Sequence, residues 1–248
     1  MEIIPLQTRL LLPPQDDALS AIITALDKFG GLRDGDILAV TSKIASLQQG
    51  RAIPISQVPD KDQLIINQAE RYLPRQFVPH NYAVLTIRQH LIAPSAGIDE
   101  SNAQEYYILL PENPGQLALE WRQQLISHYG LKNLGLILTD SRSMPLRYGV
   151  VGVGLAFAGF QPLRDYRGQP DLFGRLIKVS QTNIVDSLAA AAVYAMGECT
   201  EQTPAAIIRG ANGVEFTDQD CSDQLWLTAE EDIYQPLYKD FLPGGQVI

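Results

Sequence analysis

Hydrophobic positions along the chain follow two rhythms, one helical and one extended. Asp16 and Asp17 offer an N-cap to ALSAIITALDKFG, where Leu19, Ile22, Ile23 and Leu26 share a face and Gly30 or Gly31 ends the helix. The same spacing predicts helices over DKDQLIINQAERYL, stopping at Pro74, and over GQLALEWRQQLISHYG after Pro114, with Gly130 past its end. Asn183 caps IVDSLAAAAVYAMG, which Gly197 ends. AEEDIYQPLYKDFL reads as a last helix, interrupted near Pro236. Extended patterns occupy MEIIPL, ILAVTSK, the run from Tyr82, LGLILTD, LIKVSQ and AAIIRG, of which LGLILTD has the clearest buried-strand pattern. VVGVGLAFAGF alternates small and apolar residues. LIAPSAGIDESN, SRSMPLRYG, LRDYRGQPDLFGR and the acidic GANGVEFTDQDCSD read as loops. Strands and helices mix without a strict βαβ rhythm, which predicts an α+β or irregular α/β fold with no internal repeat.

Composition narrows the class. The 248 residues are 46% hydrophobic and 19% charged, so the chain can build a core without disulfide staples and is not disordered. No apolar run reaches the roughly 18–20 residues of a membrane span. The first residues lack a basic region and a small-residue cleavage site, so no signal peptide is expected and a reducing cytoplasm is the default. Cys199 and Cys221 make neither a disulfide framework nor a zinc site. With 19 Lys+Arg against 28 Asp+Glu, the net charge of -9 argues against nucleic acid or an anionic membrane as the main partner.

Four polar loops follow apolar strands, where scaffold-held sites usually form. Thr41-Ser42-Lys43 through Gly50-Arg51 offers hydroxyls and a lysine for phosphate oxygens, or simply a capped helix start; it is not a Walker A loop. Asp99, in Ala96–Asn102, and Asp140, in Thr139-Asp140-Ser141, are turn residues taken singly. Taken together, two carboxylates ending separate strands suit a hard cation such as Mg²⁺, whose other positions go to phosphate and water. The fourth stretch carries Arg142, Arg147, Gly149, Gly152 and Gly154, then Arg164, Arg167 and Arg175, and reads either as an anion clamp or as a solvated charged loop. Its G-x-G lacks the acidic ribose partner of a dinucleotide fold. His80, His90 and His128 form no zinc motif, and no G-x-S-x-G elbow occurs.

In order along the chain stand GDILAVTSKIAS…GR (35–51), AGIDESN (96–102), LLPENP (109–114), GLILTDS…RYGVVGVG (135–154), DLFGRLIKVS (171–180), IVDSLAAAAVYAMGE (184–198) and IIRG (207–210). This ordered set resembles the coenzyme F420-0:L-glutamate ligases, the CofE-like γ-glutamyl ligases, over most of the chain. The resemblance implies a homodimer with an irregular, two-lobed α+β fold in a single ligase domain over residues 1–248. It implies a GTP- and Mg²⁺/Mn²⁺-dependent amide ligase that adds L-glutamate to the carboxylate of a deazaflavin coenzyme through an acyl phosphate.

Carried over residue by residue, the resemblance puts Asp99, Asp140 and Ser141 at the metals, and Ser42, Lys43 and Asn102 at the nucleotide. Leu11 and Leu12 match an N-terminal segment that touches GTP. Asn212 and Gly213, with Glu215 as a further metal ligand, follow IIRG where nucleotide and metal meet again. Lys43 and Arg147 are the candidates for stabilising the transferring phosphoryl group. Arg164, Arg167 and Arg175 are those for the acceptor or the incoming glutamate, with Gly149–Gly159 packed against the site. The sequence departs from the family pattern at Leu47 and Gln49, where a lysine and a glutamate are usual, and at Ser143-Met144, where Gly-Arg is usual. The alternatives these departures open are a folate- or pterin-like acceptor and a non-catalytic nucleotide- or pterin-binding homologue.

Overall fold

The computed structural model describes residues 1–245. In chain order its elements are β1 (Glu2–Leu6), α1 (Ala18–Phe29), β2 (Asp36–Thr41), α2 (Ser42–Gln48), β3 (Ala52–Pro54), α3 (Lys61–Gln68), β4 (Arg71–Leu73), β5 (Leu85–Arg88), β6 (Leu91–Pro94), β7 (Tyr106–Ile108), α4 (Pro114–Tyr129), β8 (Leu134–Ser143), β9 (Val150–Ala158), β10 (Leu163–Asp165), β11 (Gln181–Asn183), α5 (Ile184–Met196), β12 (Ala205–Arg209), α6 (Gln235–Tyr238) and β13 (Leu242–Pro243). The fold is α+β.

The larger sheet runs β1-β12-β2-β8-β9, with β2 and β8 parallel and the other pairs antiparallel. It is buried on both faces, which is why ILAV and LILT read as unbroken apolar runs. Leu38, Val40, Leu136 and Leu138 face α1 and α4, whose Ile22, Leu26, Trp121 and Leu125 complete one core. The intervening residues Ile37, Ala39 and Ile137 face α5, where Val185, Ala189 and Ala192 complete the other. The caps are local: the Asp17 carboxylate accepts from Ser20 N, the Asn183 side chain accepts from Asp186 N, and Gly30 ends α1 at φ +105.

The chain between α2 and α4 forms a second, antiparallel sheet, β13-β4-β5-β6, together with the β3–β7 pair. Ile65 and Ala69 at the end of α3 pack there with Val84, Ile98, Tyr107 and Leu109. Leu91 and Leu110 carry this lobe onto Val153 and Leu155 of β9. Arg51 pairs with Glu112 at 2.5 Å, and Gln49 brackets the Glu112 backbone, donating to its O (2.9 Å) and accepting from its N (2.8 Å). Gln49 therefore fastens one lobe to the other, and Leu47 is buried against Ala103 and Ile108.

Several boundaries differ from the sequence expectation, each for a packing reason. The ILAVTSK strand stops at Thr41, because Ser42, Ile44, Ala45 and Leu47 turn inward at helical spacing. The helix expected through Leu73 ends at Gln68, and Arg71–Leu73 pairs with β5 instead. LIAP within an expected loop is β6, and β8 continues through Ser143 as one arm of a hairpin with β9. LIKVSQ forms no strand before Gln181: Leu176 makes only an isolated bridge to Pro170, and Val179 is exposed. The expected C-terminal helix is confined to Gln235–Tyr238, opening at Pro236. The glycines of VVGVG serve helix packing rather than a ligand: a Cβ at Gly152 would lie 2.6 Å from Val193 Cβ and one at Gly154 2.3 Å from Val185 Cγ1, so α5 sits directly on β9.

Candidate active site

The parallel pair ends in register, Thr41 opposite Thr139, so the next residues of both strands emerge side by side. Ligand sites favour the carboxyl ends of parallel strands. Here Ser42 Oγ donates to Asp140 Oδ1 at 3.3 Å. A cavity of about 500 Å³ opens above them. Its walls come from the Thr8–Leu11 segment, the start of α2, the Gly97–Asn102 loop of the smaller lobe, the end of β8, and the chain from Met196 to Pro204.

Asp99 enters from the smaller lobe, fixed by reciprocal backbone bonds with Ile108, each 2.9 Å. Its Oδ2 lies 2.6 Å from Lys43 Nζ, which also donates to Ser101 O (2.9 Å) and Oγ (3.1 Å). Asp99 Oδ1 in turn accepts from Ser101 N (2.7 Å) and Oγ (2.8 Å). On the far wall Ser141 Oγ donates to Glu198 Oε1 at 2.6 Å, and Asn102 Nδ2 donates to Cys199 O at 2.8 Å. The Asp140 carboxyl is enclosed, and this burial pushes it up to about 7; nearby Asp99 and Glu198 push the same way, against hydrogen bonds from Ser141 N and the Ser42 hydroxyl.

The structure thus gathers Leu11, Ser42, Lys43, Asp99, Asn102, Asp140 and Ser141 around one cavity. Leu12 stays outside its wall, although its backbone N is tied to Asp16 Oδ2 at 2.9 Å. The remaining assignments do not meet there within one chain. β12 starts at the cavity, where Pro204 lines it, and ends at Arg209 beside Asp36, at the opposite end of the sheet. Asn212, Gly213 and Glu215 follow Arg209, and the Glu215 carbonyl accepts from Gln161 N at 2.8 Å. Glu215 therefore does not join Asp99 and Asp140.

Arg164, Arg167 and Arg175 sit on or near the β10–β11 pair at that same distant end. Arg164 lies over the Tyr166 ring (5.2 Å), Arg167 pairs with Asp165 (2.5 Å), and Arg175 N donates to Asp171 Oδ1 (2.9 Å). Arg147 is exposed at the tip of the β8–β9 hairpin, its Nη1 on the carbonyl of Leu146 at 3.2 Å.

Glu198 and Arg9 also line the cavity, and the sequence reading does not single them out. Glu198 stands one residue beyond the glycine that ends α5, and an acid directly after a helix-ending glycine was the available signal. Arg9 lines the mouth, held bidentately by Asp16 (2.5 and 2.9 Å), and nothing in its local pattern distinguishes it.

Among the described residues no three His, Cys, Asp or Glu side chains form a preassembled metal cluster. Asp99, Asp140 and Glu198 are each held by an ammonium or a hydroxyl instead. The donor set is nevertheless all oxygen, and Asp140 is a half-buried carboxyl whose ionised form lacks a full counter-charge. Both features fit a hard divalent cation.

The family model for F420-0:gamma-glutamyl ligase matches residues 7–210. The chain belongs to this F420-0:gamma-glutamyl ligase family. It is 33% identical over 227 residues to the coenzyme F420:L-glutamate ligase of Methanopyrus kandleri, covering 85% of this chain and 86% of that protein. The enzyme of the same name from Methanocaldococcus jannaschii is 32% identical over 220 residues, covering 82% and 86%. That from Natronomonas pharaonis is 33% identical over 250 residues, covering 93% and 94%. The F420-0:gamma-glutamyl ligase match spans all the segments that wall the cavity. No helix among the described residues is long and apolar enough to cross a membrane.

Proposed function

We propose that this protein is an amide ligase that joins L-glutamate to the carboxylate of F420-0, driven by GTP with Mg²⁺ or Mn²⁺. The observation that carries the proposal is the convergence of Asp99 and Asp140, from different lobes, on one cavity that also holds Lys43, Ser141 and Glu198.

A carboxylate acylates poorly at neutral pH. In this reading an acceptor carboxylate oxygen attacks the γ-phosphorus of GTP and GDP departs. The glutamate amine then attacks the acyl carbon, and inorganic phosphate leaves as the amide forms. A divalent ion held by Asp99, Asp140, Ser141 and Glu198 would neutralise charge on the nucleotide phosphates. Lys43 supplies a fixed positive charge beside them, oriented by Asp99 and Ser101. Ser42, Asn102 and Leu11 place the nucleotide against the N-terminal segment.

We also assign the protein as a homodimer. Leu146 and Tyr148 on the hairpin tip, and Leu172 and Phe173 on the loop between β10 and β11, are almost fully exposed. A second copy would cover them.

Mass spectrometry of products from a panel of deazaflavin and pterin acceptors with labelled glutamate, GTP and Mg²⁺ tests the reading. The expected product is glutamylated F420-0, lost in Asp140→Ala. Equal product from Asp140→Ala removes Asp140 from the mechanism, and a glutamylated pterin alone reassigns the acceptor.

A further inference from the structure

Tyr82 lines the cavity mouth yet is 82% exposed. A large ring left in water at the edge of a site is conspicuous when its backbone is tightly held. The holding group is Arg75. Its Nη2 and Nε bind Asp62 (2.6 and 2.9 Å), while its Nη1 donates to the carbonyls of Asn81 (3.1 Å) and Tyr82 itself (2.8 Å). The two residues before Tyr82, His80 and Asn81, adopt left-handed conformations at φ 59 and 51, a region Asn and His enter more readily than other non-glycine residues, and the clamp closes over that turn. Two residues on, Val84 O accepts from Ser95 N at 2.9 Å. Tyr82 is thereby set beside the Ser95–Gly97 turn that leads directly to Asp99. Ala93, Pro94 and Ile98 line the same cavity.

We propose that Tyr82 is a stacking platform for the planar fused heteroaromatic ring of the carboxylate acceptor. The inference rests on the ligase reading above. The nucleotide is assigned there to the wall formed by Leu11, Ser42 and Asn102, which leaves this wall to the acceptor. A ring seated on Tyr82 at the mouth leaves the acceptor's carboxylate-bearing chain to enter the cavity that also holds Lys43 and Asp140.

The test is steady-state kinetics with F420-0, GTP and glutamate on wild type, Tyr82→Ala and Tyr82→Phe, together with equilibrium titration of F420-0 by its own fluorescence. Loss of one stacked ring is expected to raise the F420-0 KM and Kd about tenfold in Tyr82→Ala, with kcat and the GTP KM unchanged, and Tyr82→Phe is expected to restore both. An unchanged F420-0 KM overturns the platform, as does a rise confined to the GTP KM. If wild type forms no product the ligase reading falls, and the titration alone decides: weaker F420-0 binding in Tyr82→Ala upholds the platform. Equal binding, or none to wild type, overturns it.

Discussion

Ser42 Oγ and Asp140 Oδ1 meet at 3.3 Å across the end of the β2–β8 parallel pair. They emerge together because Thr41 and Thr139 are register partners, so two segments distant in sequence deliver neighbouring side chains to the cavity floor. Asp99 reaches the same cavity from the other lobe. The site therefore depends on the interlobe joint made by Gln49, Arg51 and Glu112 as much as on its own residues.

The raised Asp140 carboxyl makes stability and metal binding depend on pH in opposite directions. A carboxyl ordinarily near 3.8 and held at about 7 in the fold keeps its proton in the folded state over the interval between. Its stabilising contribution is full below the unfolded value and is lost as pH rises through about 7. Metal-free wild type should lose Tm relative to Asp140→Asn as pH rises from about 4 to about 7, as read by thermal melts. Mn²⁺ affinity of wild type should rise over the same interval, since a cation competes with the proton.

Lys43 is tied to Asp99 and Ser101 and remains accessible to the cavity. Lys43→Met should lower kcat for ligation by about a hundredfold, the effect of losing one donor to a developing charge. Circular dichroism should stay that of wild type. A kcat within threefold of wild type would place Lys43 outside the phosphoryl-transfer step.

Gly152 has no room for a side chain. An added Cβ would stand 2.6 Å from Val193 Cβ and 2.7 Å from the Ala189 carbonyl oxygen, the latter fixed in the α5 backbone. Gly152→Ala should therefore cost about 1–3 kcal/mol in urea unfolding. Gly149, with open space around the added atom, carries only the penalty of its φ of +84.

At the end of the sheet away from the site, Arg209 donates to both oxygens of Asp36, at 2.9 and 2.7 Å, and Asp36 is 1% exposed. Arg209→Met leaves that carboxylate buried and unpaired. The expected loss is about 3–5 kcal/mol of unfolding free energy, with no change in the KM values of the protein that remains folded.

How far the sequence was legible depends on the range of the interaction. Helices with their own caps, at Asp17 and Asn183, stand where the local pattern puts them. Elements defined by a distant partner were misread. Arg71–Leu73 extends because β5 lies beside it, and Leu176–Ser180, bonded to 166–170 only at scattered points, forms no regular strand. The same holds at the site. Asp99 and Asp140 could be proposed from their places at strand ends, but only the three-dimensional pairing of the lobes shows that they share a cavity. Glu198 and Arg9 announce themselves only through what they touch. Arg147, Arg164, Arg167, Arg175 and Glu215 have the right chemistry for anions or metal, and the sheet carries them elsewhere within the chain.

The most direct test is electron paramagnetic resonance of Mn²⁺ titrated into wild type, Asp99→Asn and Asp140→Asn, with and without GTP. If both carboxylates hold a cation against the nucleotide, wild type binds Mn²⁺ more tightly when GTP is present, and either substitution weakens binding by at least tenfold. Equal Mn²⁺ binding by all three proteins, unaffected by GTP, would contradict the account.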